Sequence, residues 1–94
     1  DVPTYSMRPD TALLQAKLMR FLVPVDLDAV MAGDVVLLRI QDSPQHLAIL
    51  GDYPVTGELS MIHAYLPAGG VVEHRYDAVW RGVTQAVYRL PQLV

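Results

Sequence analysis

Residues Val35 to Ile40, VVLLRI, are a nearly unbroken run of β-branched and aliphatic side chains. Without apolar/polar alternation, a strand built here presents apolar groups to both faces of its sheet and needs cover on each. The other apolar runs are short. Prolines at 3, 9, 24, 44, 54, 67 and 91 punctuate them, at spacings that suit loops between short elements. Residues Asp1 to Pro9 read as an extended lead-in. Asp10 reads as the N-cap of a helix over TALLQAKLMRFL, in which Leu14, Leu18 and Phe21 form one apolar stripe and Pro24 ends the helix. Asp26 caps a short turn reaching Met31.

Downstream of VVLLRI, Asp42-Ser43-Pro44 is a turn cluster. His46 to Leu50 (HLAIL) reads as a second strand closed by Gly51-Asp52, and Tyr53 to Glu58 as a loop. Leu59 to Tyr65 (LSMIHAY) is a third strand, Pro67 to Gly70 a turn, and Val71 to Arg75 a fourth strand. A helical turn over Tyr76 to Arg81 surrounds Trp80, and Gln85 to Leu90 forms a last strand ended by Pro91. One helix followed by four or five antiparallel strands with short connections is an α+β pattern.

The 94 residues fit one domain spanning 1–94, and a chain of this size buries roughly 64% of its unfolded surface, enough for one core. Hydrophobic residues make up 52% and charged residues 18%, which excludes intrinsic disorder. No apolar run approaches the roughly 18–20 residues of a membrane span, and the opening residues lack a signal-peptide pattern. The net charge is −3 and the seven basic residues are scattered, which argues against a nucleic-acid surface. Cysteine is absent. That excludes a disulfide framework, a thiolate metal site and a cysteine nucleophile within these residues.

Polar residues inside the apolar strands are few. His46 opens HLAIL, and His63 lies between Ile62 and Ala64. A hairpin pairing Leu50 with Leu59 sets His46 directly opposite His63 on one face, with Cβ atoms about 4.5–5.5 Å apart. A single strand histidine is usually a satisfied, half-exposed residue. Two facing each other need a further reason, because juxtaposed imidazoles resist double protonation. Either one is a general base oriented by the other through a ring N–H, or both ligate a metal. The metal reading lacks a third ligand, since His74 lies in a different strand and Glu73 and Asp77 give no ligand spacing. The base-and-orienter reading is therefore preferred, with no metal or cofactor.

Other polar positions read as structural. Asp34, after Gly33, suits a turn in which it bonds local backbone N–H groups. Trp80 and tyrosines 65, 76 and 88 suit packing. Glu73 facing Arg75 or Arg81 would be a surface pair of little weight. Ser43 and Ser60 have no nucleophile-elbow context, and Gly69-Gly70 lacks the helix that a phosphate loop needs.

Four ordered blocks, GDVVLLR (33–39), QHLAILG (45–51), MIHAY (61–65) and GVVE (70–73), resemble the NlpC-type cell-wall peptidases, which are papain-like cysteine peptidases. AYLPAGGVVEH, the following tryptophan and AVYRLP are similar to the form associated with tail tips of phages and gene-transfer agents. The resemblance runs from about Asp10 to Pro91. It implies a papain-like α+β core with the antiparallel sheet packed on an N-terminal helix. It also implies His46 as the catalytic base and His63 as the polar group orienting it. The implied reaction is amide hydrolysis in peptidoglycan stem peptides, typically between D-glutamate and a diamino acid, through an acyl-enzyme. The implied partners are the stem peptide and neighbouring tail or virion subunits, and the implied place is a tail-like particle acting at the bacterial wall or periplasm.

The family's nucleophilic cysteine stands on a helix ahead of these blocks, and the helix from Asp10 looks like the one that follows it. The nucleophile helix is therefore expected upstream of Asp1, so that the chain alone is inactive. The alternative is a degenerate, non-catalytic tail-tip assembly domain. A core without its first helix should also leave an apolar patch on the sheet near His46.

Overall fold

VVLLRI lies in the interior of a six-stranded antiparallel sheet. The computed structural model describes residues 11–40, 43–53, 57–65 and 69–94. In chain order the elements are helix α1 (Thr11–Leu18), β1 (Val23–Val25), a 3-10 turn (Leu27–Ala29), β2 (Val35–Ile40), β3 (Ser43–Asp52), β4 (Leu59–Tyr65), β5 (Gly70–Arg75), helix α2 (Ala78–Gly82), β6 (Thr84–Arg89) and a 3-10 turn (Pro91–Leu93). The sheet order is β1-β6-β2-β3-β4-β5. The fold is mixed α+β. Among the described residues no helix is long and apolar enough to cross a membrane.

Six strands replace the expected four or five because Val23–Val25 pairs with β6, Pro24 lying across from Tyr88. Pro24 does not end the helix; it sits in the edge strand, where a missing N–H is tolerated. Helix α1 ends earlier, and Leu22 N donates to Leu18 O at 2.8 Å. Phe21 therefore leaves the expected stripe and is 70% exposed. Leu18 and Leu22 instead line a cavity with Val35, Leu47, Ile49 and Ile62. The proposed cap at Asp10 and the turn residue Asp42 lie outside the described residues, whereas Ser43 and Pro44 belong to β3. A register shift between Leu38 and Ile40 accompanies them, and such an irregularity accommodates a proline. Asp26 occupies the cap position before Leu27–Ala29 but makes no side-chain cap bond.

The core lies on one sheet face. Cross-strand partners share a face, and the pairs Val36↔Ala48, Val36↔Val87 and Leu50↔Met61 put these fully or nearly buried side chains together. Tyr76 joins them, with Val30, Trp80 and Val83 packed against the cluster. On the opposite face Leu37 and Tyr88 are buried, so the central strand is covered on both sides, but Ile49 is 52% exposed and Leu47 37%. The expected apolar exposure is thus present, but on the face that β3 turns away from His46.

The Gly33-Asp34 step locks the sheet's centre. Gly33 has φ 95°, a conformation that favours glycine. Asp34 is fully buried. Its carboxylate accepts Met31 N at 2.9 Å, as expected for a turn, and a fork from Arg89 on β6, Nε to Oδ1 at 2.8 Å and Nη2 to Oδ2 at 2.9 Å. Arg89 Nη2 also donates to Ala29 O at 2.6 Å. Asp34 is therefore a long-range tie between β2's entry and the last strand, a role the local reading did not contain.

Candidate active site

His46 and His63 share a face, but not as a directly opposed pair. The β3–β4 partners include Leu50↔Met61 and Asp52↔Leu59, two residues away from a Leu50–Leu59 pairing. Continuing that register, His63 falls across from Ala48, and His46 lies two residues along the same face. An even slip preserves the face, and diagonal neighbours stay within reach of ring side chains. His46 Nε2 and His63 Nδ1 are 2.6 Å apart. Their rings meet edge-on, with centroids 4.9 Å apart and planes at 84°.

The next strand adds a third imidazole. β4 and β5 pair through Met61↔His74 and His63↔Val72, so His74 lies diagonally from His63 on that same face. His63 Nε2 stands 2.8 Å from His74 Nε2, and His74 Nδ1 stands 3.1 Å from the Arg75 carbonyl oxygen. On sequence alone His74 has no part in the site, because it belongs to another strand. The signal that finds it is the alternation already applied to β3 and β4: His63 and His74 both sit on the core parity of an adjacent hairpin.

The three rings form a row rather than a cage. His63 turns its two nitrogens toward different neighbours, so the imidazoles do not converge on one point. Among the described residues no three His, Cys, Asp or Glu side chains are placed to hold a metal ion.

Helix α2 roofs the row. Asp77 caps it, accepting Val79 N at 3.0 Å and Trp80 N at 3.2 Å. Thr84 Oγ1 donates to Trp80 O at 2.9 Å. That spends the threonine proton, so the Tyr76 hydroxyl donates to Thr84 Oγ1 across 2.6 Å. Trp80 is thereby held with its ring 5.4 Å from His63 and 5.0 Å from His74, centroid to centroid. Packing is its role, as the sequence suggested, but what it packs on is the histidine row. A groove of about 230 Å³ beside it is lined by Arg39, Ile40, Val79, Trp80 and Val83.

His63 is buried. Burial lowers its pKa, and the neighbouring His46 and His74 lower it further. Burial lowers His46 as well. Removing an imidazolium from water is unfavourable, and a row of imidazoles is favourable only while most are neutral. Glu73 points away from the row and accepts Ser60 Oγ at 2.6 Å. The expected arginine partner goes elsewhere, Arg75 Nε to Glu58 Oε1 at 2.7 Å.

No family model, curated protein or solved structure matches this chain.

Proposed function

We propose that His46 and His63 are the base half of an acyl-transfer site of the NlpC peptidase type, acting on peptidoglycan stem peptides with a thiol nucleophile supplied by polypeptide outside these 94 residues. The observation that carries the reading is the 2.6 Å contact between His46 Nε2 and His63 Nδ1. With Nε2 engaged, Nδ1 is the nitrogen of His46 left for chemistry. It takes the thiol proton as the sulfur attacks the amide carbonyl, then returns it to the departing amine. Water resolves the acyl-enzyme by the same base. His63 holds the ring in the attacking orientation. Burial, which disfavours the imidazolium of His46, keeps it a base at neutral pH.

The order of elements supports the finer reading of the fold as a papain-like core, with α1 as the helix that follows the nucleophile helix and the antiparallel sheet carrying the base. The tail-associated setting follows from the same resemblance, with neighbouring tail subunits as partners at the bacterial wall. The exposed Leu47 and Ile49 suit a sheet face covered by more polypeptide.

The test is turnover of a muropeptide by the full-length protein, wild type and His46→Ala. The expected result is cleavage by the wild type and a loss of about 10²–10⁴-fold in the variant, the range for a general acid–base group. Turnover that survives His46→Ala, or a full-length protein with no thiol nucleophile, overturns the proposal in favour of a non-catalytic tail-tip assembly domain.

A further inference from the structure

We infer that His74, anchored on the Arg75 carbonyl, is a positioning residue that fixes where the protons of the whole histidine row reside and so leaves His46 Nδ1 bare. The inference needs only the order of contacts and the chemistry of a neutral imidazole, which carries one N–H and one acceptor nitrogen. A carbonyl oxygen only accepts, so His74 Nδ1, 3.1 Å from Arg75 O, bears the proton. His74 Nε2 is then an acceptor, and the 2.8 Å contact requires His63 Nε2 to donate to it. His63 Nδ1 in turn is an acceptor, and the 2.6 Å contact requires His46 Nε2 to donate. The remaining nitrogen, His46 Nδ1, carries a lone pair, and among the described residues nothing hydrogen-bonds to it. The backbone thus sets, two imidazoles away, which tautomer His46 adopts.

Without the acceptor at His74 the direction reverses. In His74→Phe the 2.8 Å bond from His63 Nε2–H to an imidazole acceptor is lost, and losing a buried bond is unfavourable. Moving that proton to His63 Nδ1 lets His63 donate to His46 Nε2. The His46 proton then sits on Nδ1, the nitrogen that the proposed mechanism needs bare. The catalytic meaning rests on the reading above; the tautomer assignment does not.

The experiment is ¹⁵N spectroscopy of the histidine rings in the full-length protein, as wild type, His74→Phe and His74→Gln. It is done near pH 8, above the ordinary imidazole pKa of about 6.5. Phenylalanine keeps a ring against Trp80 but accepts nothing. Glutamine keeps a carbonyl acceptor for His63 Nε2–H. The expected result is His46 protonated on Nε2 in the wild type and in His74→Gln, and on Nδ1 in His74→Phe. Muropeptide turnover by His74→Phe should fall about 10–100-fold in kcat, with little change in KM, as for groups that orient an imidazole through its far nitrogen. A wild-type His46 bare at Nε2 overturns the inference, as does a His46 tautomer unmoved by His74→Phe or switched by His74→Gln. The wild-type spectrum decides even where His74→Phe does not fold. A protein without peptidase activity that shows the expected tautomers refutes the enzyme reading and leaves this inference standing.

Discussion

Replacing Asp34 by alanine tests how the fold is tied across its centre. The carboxylate is fully buried and accepts three bonds, from Met31 N at 2.9 Å, Arg89 Nε at 2.8 Å and Arg89 Nη2 at 2.9 Å. Two of these are charge-assisted, at about 1.5–3 kcal/mol each, and the third is an ordinary bond of about 1 kcal/mol. The gross loss of about 4–7 kcal/mol is partly offset, because the Arg89 side chain is 13% exposed and finds some water. The net loss for Asp34→Ala is then about 3–5 kcal/mol, the range for breaking a buried pair. A domain of this length has about 5–14 kcal/mol in total, so the variant folds with little margin. Urea unfolding followed by circular dichroism reads the effect. With an m value of about 1.5 kcal/mol/M, the midpoint drops by about 2–3 M. A second arm separates pairing from mere truncation. Once Asp34 is gone, the guanidinium keeps the Ala29 carbonyl but has lost its counter-charge at the sheet, so Asp34→Ala/Arg89→Met should unfold at no lower urea than Asp34→Ala alone. A midpoint shift below about 0.5 M in the single variant would mean that the pair behaves like an exposed salt bridge, and the tie across β2 and β6 would be refuted.

Two further outcomes follow from particular contacts. His46 and His63 are lowered from the ordinary 6.5, so below that pH the unfolded chain takes up protons the folded chain resists. Their contribution to stability is complete above pH 6.5 and is lost as pH falls through the lowered folded values. Urea midpoints from pH 8 to 5 should decline accordingly, and His63→Leu should flatten the decline; a pH-independent midpoint contradicts it. Gly51→Ala would place a Cβ 3.0 Å from Ser60 Oγ, the hydroxyl that donates to Glu73 Oε2 at 2.6 Å. The shift of Ser60 and the loss of that bond should destabilise by about 1–3 kcal/mol, and an unchanged thermal midpoint would show that the hairpin yields freely.

Short-range chemistry was the legible part of the fold. VVLLRI announced a strand covered on both faces, and β2 has buried side chains on each. LSMIHAY coincides with β4, and the turn around Trp80 is helix α2. What escaped was whatever depends on partners far along the chain. VPV carries no strand pattern, and becomes β1 because β6 offers an edge on which the Pro24 nitrogen needs no acceptor. The Asp34 carboxylate looked satisfied by its own turn, since nothing local marks Arg89, 55 positions later, as its partner. The helix stripe ran one residue astray because α1 closes at Leu18, and Leu22 rather than Phe21 then faces the sheet.

The histidine row shows why a site can be legible when its register is not. The expected Leu50–Leu59 pairing and the observed Leu50–Met61 pairing differ by two residues, and side-chain direction in a strand repeats every two. Any even slip leaves His46 and His63 on one face, so the juxtaposition of these rings was more robust than the pairing used to derive it. An odd slip would have separated them, and the hydrophobic pattern forbids it, because it would turn Leu50 and Met61 out of the core. The same constraint places His74. Its parity on β5 is fixed by Val72 beside it, and β5 pairs directly with β4 through Met61↔His74 and His63↔Val72. Three histidines on successive strands at core parity must therefore meet in a line across the sheet, the central ring with a neighbour on either side. A line hands protons along; a metal cage needs nitrogens aimed at one point, which neighbouring strands about 4.8 Å apart do not provide when the middle ring faces both ways.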